Sequence, residues 1–211
     1  MQHTETLLEK VSICNGDLPR PVLERAMHLE VIAWDIETSG LNWKEDQVAT
    51  CQIYVPDSGV YVVRITDALR PNLRKLLAAP NVCKVFHHAM FDLRFMAYQW
   101  SFEIQNVVCT KIASKILNPK EENHTLKSLL QQHLETFIDK EQRNSDWFRK
   151  HLTQEQLAYA AKDVIYLPQL FEMLRDKLVT NGRWSLAEAC YQFIPIQVQL
   201  EIIGTANVFQ Y

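Results

Sequence analysis

Two carboxylates, Asp35 and Glu37, end an otherwise apolar and β-branched stretch at residues 30–37. Such a stretch predicts a buried central strand. Side chains two positions apart on a strand point to the same face, so both carboxylates can offer oxygen ligands to a hard cation. The nearest Lys or Arg along the chain is Lys44. The spacing therefore indicates a divalent-metal site, although a loop-capping Asp beside a solvated Glu would fit the same pattern.

Three further residues could complete such a site. Asp92 follows His87 and His88 and falls in the first turn of an expected helix. Tyr159 and Asp163 are four residues apart in an apolar helical stretch, so they share one helix face. A carboxylate and a phenol are thus expected to project together, and Asp92 could point toward the first pair.

Each of these residues also has an ordinary structural interpretation. Asp92 could be a favourable charge near a helix N-terminus. Asp163 could form a surface ion pair with Lys162 or Lys177, and Tyr159 could pack in the core. Four acids and a Tyr, distributed over a strand end, a helix start and a later helix, nevertheless favour a metal-dependent catalytic site over three unrelated coincidences.

The elements that must position these residues follow from hydrophobic periodicity and turn signals. Strands are expected at residues 48–55, 59–65 and 82–86, and the first two would form a three-stranded meander with residues 30–37. Helices are expected at residues 68–78 with Asp67 as the N-cap, and at residues 91–98, 109–117, 126–134 and 153–178. Thr153 and Gln156 form a capping box at the start of the last helix. Residues 120–123 read as an exposed loop, and the pattern as a whole predicts an α/β fold.

Length and composition bound the possibilities. The 211 residues, 47% hydrophobic and 22% charged, fit one soluble globular domain. The formal net charge of −3 lacks the basic surplus of a protein that grips long duplexes by their phosphates. Because bound divalent cations would offset this charge, short oligonucleotides stay plausible substrates.

Cysteine usage and the N-terminus bear on the compartment. The five cysteines are odd in number and include no Cys-x-x-Cys pair, which indicates reduced, mostly buried thiols. The chain shows neither the pattern of a signal peptide nor an apolar run long enough to span a bilayer. We therefore predict a cytoplasmic protein without a membrane partner.

The acidic motifs together resemble a known pattern. Asp35-Ile36-Glu37-Thr38, then Asp92, then Tyr159-x-x-x-Asp163 are similar in order and spacing to the three exonuclease motifs of the DEDDy superfamily. Residues 110–170 extend the similarity to the ribonuclease D branch, and residues 186–211 resemble the C-terminal tail of the short bacterial enzymes called nanoRNase C.

This resemblance implies a fold and an assembly. It implies the ribonuclease H-like exonuclease fold, a mixed central sheet flanked by helices. The whole chain, residues 1–211, would form a single exonuclease domain with a short helical tail at about residues 182–211. The nanoRNase C enzymes favour very short RNA, down to dinucleotides, and are ring-like homo-oligomers, so the same is expected here.

The resemblance also assigns roles to residues. Asp35, Glu37, Asp92 and Asp163 would hold two divalent cations, Mg²⁺ or Mn²⁺, and Tyr159 would orient the attacking water. The substrate would be single-stranded nucleic acid, and the products nucleoside 5′-monophosphates.

Three further positions are expected to contact the substrate. Thr38 and Leu41 resemble residues beside the 3′-terminal bases, and His88 is a candidate phosphate contact. Ribonuclease D usually has Asn at the position of His88, so this contact is the one departure from the branch pattern.

Other functions share these motifs. A 3′-5′ exodeoxyribonuclease would use the same acids, since none of them detects the 2′-OH. A catalytically weak nucleic-acid-binding module would be expected to lack an acid, whereas all four are present. A hydrolase of another phosphodiester, such as a cyclic dinucleotide product, is a third alternative.

Overall fold

The computed structural model describes residues 8–138, 142 and 145–210. Its strands are β1 Val11–Asn15, β2 Val31–Thr38, β3 Val48–Val55, β4 Gly59–Arg64, β5 Cys83–Phe86 and β6 Val107–Cys109. Its helices are α1 Arg20–Ala26, α2 Pro71–Leu77, α3 Ala89–Trp100, α4 Thr110–Leu117, α5 Leu126–Leu134, α6 Gln154–Ile165, α7 Leu167–Thr180 and α8 Trp184–Ile202. The predicted α/β class is confirmed.

The strands form one mixed sheet in the order β1-β4-β3-β2-β5-β6. Its middle is the predicted meander, because β2 pairs antiparallel with β3 and β3 antiparallel with β4. β1 joins β4 in parallel, and β5 and β6 continue in parallel from β2. The acid-bearing strand β2 therefore lies inside the sheet, and Ile32, Trp34 and Ile36 on its other face are buried.

Helix α6 begins where the sequence predicts. The Thr153 hydroxyl accepts from Gln156 N–H, and the Gln156 side chain accepts from Thr153 N–H, which completes the capping box. The helix packs against β2, β3 and β4. The capping box fixes the first turn of the helix. Together with the packing on the sheet, it sets the rotational position of Tyr159 and Asp163.

The single helix predicted at residues 153–178 is wrong, because two helices meet at Tyr166. Pro168 lies in the first turn of α7. A continuous helix would need an N–H from residue 168, and the proline ring would clash with the preceding turn, so the chain ends one helix and starts another.

The helix predicted from residue 68 begins later, at Pro71, and Asp67 is not its N-cap. The cap comes from a distant residue instead. The Asp17 carboxylate accepts from the backbone N–H groups of Asn72 at 2.8 Å and Leu73 at 2.9 Å. Proline at the first helical position suits this start, since its missing N–H would have had no partner there.

The sequence analysis did not identify β1, α1 and β6. β6 has only three residues, and β1 alternates weakly between exposed and half-buried positions. Both are edge strands. β1 therefore carries a weak hydrophobic pattern, whereas β6 is fully buried but too short to give a periodic signal.

Among the described residues, no helix is both long and apolar enough to cross a bilayer. The five cysteines are free; Cys51 and Cys109 are buried, whereas Cys190 is exposed. The exposed loop predicted at residues 120–123 is confirmed. Location in the cytoplasm stays a prediction, as does the division of the chain into a domain and a tail at about residue 182.

Candidate active site

Strand β2 presents Asp35 and Glu37 on one face, as their spacing predicts. Across the antiparallel pairing, Asp35 lies opposite Gln52, and Glu37 lies opposite Thr50. The register shifts directly after Glu37, at a β-bulge between Glu37 and Thr38. Such bulges bend a strand and end its regular pairing, so the two carboxylates stand where the sheet gives way to a loop.

Helix α6 brings Asp163 to the same place. One carboxylate oxygen from each of Asp35, Glu37 and Asp163 lies within 4.8 Å of the others, and all three residues are half-buried. Tyr159 lies one helical turn from Asp163, and its phenol interacts electrostatically with that carboxylate. Two elements far apart in the chain thus form a three-carboxylate cluster (Asp35, Glu37 and Asp163) with a phenol beside it.

Asp92 lies at the edge of this cluster rather than inside it. It is 1% exposed, and its Oδ1 accepts from the backbone N–H of Ile36 at 3.1 Å. β5 pairs with β2 only as far as Ala33, so the N–H of Ile36 has no neighbouring strand on that side. The first turn of α3 takes the place of that strand. The carboxylate consequently lies beside Asp35, as predicted.

The cluster is electrostatically unfavourable when no cation neutralises it. Burial raises the pKa of the Asp35 carboxyl well above its usual range, and the charges of Asp92, Asp163 and Glu37 raise it further. Burial also raises the pKa of Asp92 to about 8, against the lowering effect of the Ile36 N–H. Mutually close, hard oxygen donors of this kind are the ligand set that Mg²⁺ and Mn²⁺ prefer. The residues present therefore fit divalent cations.

Tyr159 is kept protonated by the same environment. Burial raises the pKa of its hydroxyl above the usual range of a phenol, and the charges of Asp163, Glu37 and Asp35 add to this effect. Its ring is 9% exposed and lies 5.9 Å from the ring of Trp147, centroid to centroid. Without bound cations, the hydroxyl therefore keeps its proton at neutral pH and serves as a hydrogen-bonding group.

Thr38 and Leu41 begin the loop that follows β2. The Thr38 hydroxyl donates to the Gly40 carbonyl at 2.5 Å, so it also shapes the turn. Leu41 is 74% exposed, an unusual position for a large apolar side chain. The loop is closed by Asp46, whose carboxylate accepts from Ser39 Oγ at 3.1 Å and from Asn42 N–H at 2.8 Å. Leu41 is therefore presented by an ordered loop immediately after the acidic strand.

His88 is exposed at the N-cap of α3. Its ring stacks on Phe91 with centroids 6.0 Å apart and an interplanar angle of 18°. Its neighbour His87 faces inward, with Nδ1 2.9 Å from the Thr110 hydroxyl. Of the two histidines, only His88 is placed to meet a ligand from solvent.

Two buried polar residues beside the acids were not identified from the sequence. Thr50 and Gln52 are fully buried, and Gln52 Nε2 donates to Thr50 Oγ1 at 2.6 Å. Gln52 Oε1 is buried without a hydrogen-bond partner. A polar pair at alternate positions of a buried strand was visible in the sequence. The register that sets the pair opposite Asp35 and Glu37 was not.

Comparison with known proteins agrees with this geometry. A family model described as 3′-5′ exonuclease matches residues 11–179. Ribonuclease D of Granulibacter bethesdensis is 35% identical over 133 residues, covering 59% of this chain and 33% of that protein. Ribonuclease D of Desulfotalea psychrophila is 29% identical over 174 residues, covering 81% of this chain and 46% of that protein. The chain thus spans less than half the length of either relative.

Among solved structures, NrnC of Brucella melitensis superimposes with a TM-score of 0.89 at 36% identity, covering 96% of this chain and 99% of that chain. The same protein has been solved bound to pGG and with bound Mg²⁺. Escherichia coli RNase D, at 20% identity and a TM-score of 0.78, shares the fold over 90% of this chain. The sheet, the acidic cluster and these similarities lead to one conclusion: the chain belongs to the 3′-5′ exonuclease family, and NrnC and ribonuclease D are among the proteins to which it is similar.

Proposed function

We propose that this exonuclease degrades short RNA, down to dinucleotides, with two divalent cations and releases nucleoside 5′-monophosphates. The observation that carries the proposal is the three-carboxylate cluster of β2 and α6, with Asp92 beside it and the Tyr159 phenol next to Asp163. The proposed catalytic residues are Asp35, Glu37, Asp92, Tyr159 and Asp163.

The four acids would hold the cations, either Mg²⁺ or Mn²⁺. Asp35, Glu37 and Asp163 already lie within reach of one ion, and Asp92 is placed to extend the ligand set on the α3 side. When bound, such ions lower the pKa of a coordinated water and stabilise charge on the leaving oxygen. The Mg²⁺-bound structure of Brucella NrnC supports this assignment.

Tyr159 would orient the attacking water. A phenol whose pKa is raised by burial and by neighbouring carboxylates keeps its proton at neutral pH, so it acts through hydrogen-bond geometry. A phenol hydroxyl can both donate and accept a hydrogen bond. We therefore assign it a positioning contact with water at the scissile phosphate.

Thr38, Leu41 and His88 would contact the substrate. Leu41 projects an apolar side chain from the loop after β2, which suits contact with the face of a base and reads no sequence. His88 exposes an imidazole at the N-cap of α3, where it could bond a phosphate. Degradation should therefore tolerate any base sequence.

The preference for very short RNA rests on similarity. Brucella NrnC, which matches this chain over nearly its whole length, was solved bound to the dinucleotide pGG. The net charge of −3 also shows that the chain has no surplus of Lys and Arg side chains to hold a long phosphate backbone.

The test compares substrates that differ in one property at a time. The protein is incubated with 5′-labelled RNA dinucleotide, with RNA of about twenty nucleotides and with matched DNA, in Mn²⁺ or in EDTA. We expect metal-dependent release of nucleoside 5′-monophosphates and fastest turnover of the dinucleotide. A ladder on the longer RNA with slow dinucleotide cleavage would overturn the length preference, and faster cleavage of DNA would overturn the sugar preference.

Variants then connect activity to the site. Asp163→Asn should abolish cleavage and weaken Mn²⁺ binding, whereas Tyr159→Phe should reduce kcat by about 100-fold or more with Mn²⁺ binding retained. Mn²⁺ affinity is measured by titration calorimetry. Wild-type rates in Tyr159→Phe would remove Tyr159 from the proposed mechanism, and full activity in EDTA would remove the cations.

We also propose that the protein is a homo-oligomer, as the resemblance predicts. Large apolar side chains are exposed along the end of α8 and after it: Ile196, Ile203, Val208 and Phe209. A cluster of this kind is typical of interaction surfaces. Light scattering during size exclusion should give a multiple of the 24.6 kDa chain mass, and Ile203→Asp should reduce it. A monomer at micromolar concentration would contradict the assignment.

A further inference from the structure

Residues 145–149, named here the strap, are hydrogen-bonded to helix α6, which carries Asp163, and to strand β4. Gln156 of α6 contacts the first two residues of the strap, and Arg64 at the end of β4 donates to the Arg149 carbonyl at 3.2 Å. The middle residue of the strap, Trp147, packs against Tyr159. The strap therefore joins the sheet, the start of α6 and the phenol.

Both the amide nitrogen and the amide oxygen of the Gln156 side chain take part in hydrogen bonds. Its Nε2 donates to Ser145 Oγ and to the Asp146 carbonyl, both at 2.9 Å, while its Oε1 accepts from Thr153 N–H at 3.0 Å. The residue is 1% exposed. A capping box needs only the acceptor of such a side chain, which Glu supplies equally well. The two donated bonds are an addition that only an amide can make.

Trp147 is placed to restrict Tyr159. It is 2% exposed, and its ring lies at 48° to the Tyr159 ring with centroids 5.9 Å apart. Buried aromatic rings in contact hold each other in narrow rotamer ranges. The Tyr159 oxygen lies on the axis of the Cβ–Cγ bond, so rotation about that bond leaves it in place. A change in the Cα–Cβ torsion would swing the whole ring and move the oxygen out of hydrogen-bond geometry, and the packed Trp147 ring opposes such a change.

We propose that the strap is a positioning device for Tyr159, in which Trp147 fixes the orientation of the phenol and Gln156 fixes Trp147. This inference rests on the proposed role of Tyr159 in orienting water. Groups that must hold a reacting water within about half an ångström depend on packed neighbours to do so. Trp147 and Gln156 touch neither substrate nor cation in this proposal; they act through Tyr159.

The primary variants are Trp147→Leu, which removes the ring contact, and Gln156→Glu, which keeps the capping acceptor and removes the two donated bonds. With RNA dinucleotide and Mn²⁺, we expect each to lower kcat by about 10-fold or more, with KM and Mn²⁺ affinity within twofold of wild type. Trp184→Leu removes a partly buried ring that contacts Phe171 and Tyr191 instead, and serves as the control with kcat unchanged. Circular dichroism and thermal unfolding establish that each variant is folded.

A double-mutant cycle separates positioning from general destabilisation. In the Tyr159→Phe background, Trp147→Leu and Gln156→Glu should lower kcat no further, because the hydroxyl they position is already absent. If their effects multiply with that of Tyr159→Phe, the strap acts elsewhere and the inference is overturned. If Tyr159→Phe alone retains wild-type kcat, the proposed function of Tyr159 fails first, which is a different result. Should Trp147→Leu fail to fold, Trp147→Phe and Gln156→Glu carry the same cycle.

Discussion

Gly40 lies where the loop after β2 passes closest to Asp46. A Cβ added at Gly40 would lie 2.4 Å from a carboxylate oxygen of Asp46, closer than non-bonded atoms approach. The same carboxylate closes the loop through Ser39 and Asn42. A side chain at position 40 would therefore displace the Asp46 carboxylate, whose contacts hold the loop that carries Leu41.

We predict that Gly40→Ala raises KM for RNA dinucleotide several-fold while Mn²⁺ affinity is unchanged. The substitution disturbs the loop that carries Leu41 and leaves the three-carboxylate cluster in place. Steady-state kinetics and calorimetry measure the two quantities. Leu41→Ala should raise KM in the same direction. If Gly40→Ala instead weakened Mn²⁺ binding with KM unaffected, the loop would be supporting the cluster and not the substrate.

Lys84 is a fully buried cation in β5, with Nζ donating to the Ala79 carbonyl at 2.6 Å. Burial lowers the pKa of Lys84 from its ordinary 10.5 to about 8. Between these pH values the unfolded chain binds the proton more strongly than the folded chain does. The free energy of unfolding therefore gains a contribution that rises with pH through this window.

We predict that raising the pH from 8 to 10 increases the free energy of unfolding of wild type relative to Lys84→Met, which lacks the titrating group. Urea unfolding at several pH values measures both proteins. The neighbouring Cys83, whose pKa is raised to about 11 by burial, acts in the opposite direction but is present in both. A difference that shrinks as pH rises would contradict the assignment of a depressed pKa.

At the scale of elements, the first turn of α3 completes the edge of β2. Asp92 accepts the N–H of Ile36, which β5 does not reach, and brings a buried charge toward Asp35. Hydrogen bonding at this position stabilises the fold, whereas the charge destabilises it in the absence of cations. The two effects can be separated by substitution.

We predict that Asp92→Asn, which keeps the acceptor and removes the charge, unfolds at an equal or higher temperature than wild type in EDTA but has lost its nuclease activity. Asp92→Ala removes both and should lower the free energy of unfolding by about 1–3 kcal/mol, the cost of leaving a buried N–H unsatisfied. Scanning calorimetry of wild type, Asp92→Asn and Asp92→Ala measures the unfolding temperatures and free energies. Equal destabilisation by Asn and Ala would mean that the bond to Ile36 contributes little.

The sequence predicted those elements whose cause is local. The largely apolar runs of β2, β3 and β4, with the turn residues between them, and the Thr153–Gln156 capping box each carry their signal within a few residues. The start of α2 does not, because its cap is Asp17, more than fifty positions earlier. The break between α6 and α7 could have been predicted from Pro168, whose conflict with a continuous helix the periodicity concealed.

The candidate site was likewise predictable from the sequence only in its local parts. Spacing alone placed Asp35 with Glu37 and Tyr159 with Asp163, since a strand repeats every two residues and a helix almost every four. That the two pairs meet depends on α6 crossing β2, which no local pattern specifies. Thr50, Gln52 and the strap contact of Trp147 depend on register and packing, so they required the structure.

At the scale of the whole molecule, the acids come from β2, α3 and α6, so their repulsion opposes the packing of these elements on one another. Cations that neutralise the cluster should therefore stabilise the entire domain. A ligand present at 100 times its dissociation constant contributes about 2.7 kcal/mol. For a chain of this size, that corresponds to a rise in Tm of roughly 5 to 10 °C.

We predict this rise on adding Mn²⁺ or Mg²⁺ to protein prepared in EDTA, as measured by differential scanning fluorimetry. Asp163→Asn should show little or no rise, and Ca²⁺ serves as a divalent control that differs in size and preferred coordination. An equal rise in wild type and Asp163→Asn would place the stabilising ion outside the three-carboxylate cluster.

The exposed loop at residues 119–123 separates the acids into two groups. The part of the chain before the loop contains Asp35, Glu37 and Asp92, and the part after it contains Tyr159 and Asp163. Neither group alone forms the cluster. Produced as two separate polypeptides divided in this loop, the halves would therefore each lack part of the cluster. Restored cleavage of RNA would signal that they had come together, which makes the chain a candidate scaffold for a split-enzyme reporter of molecular proximity.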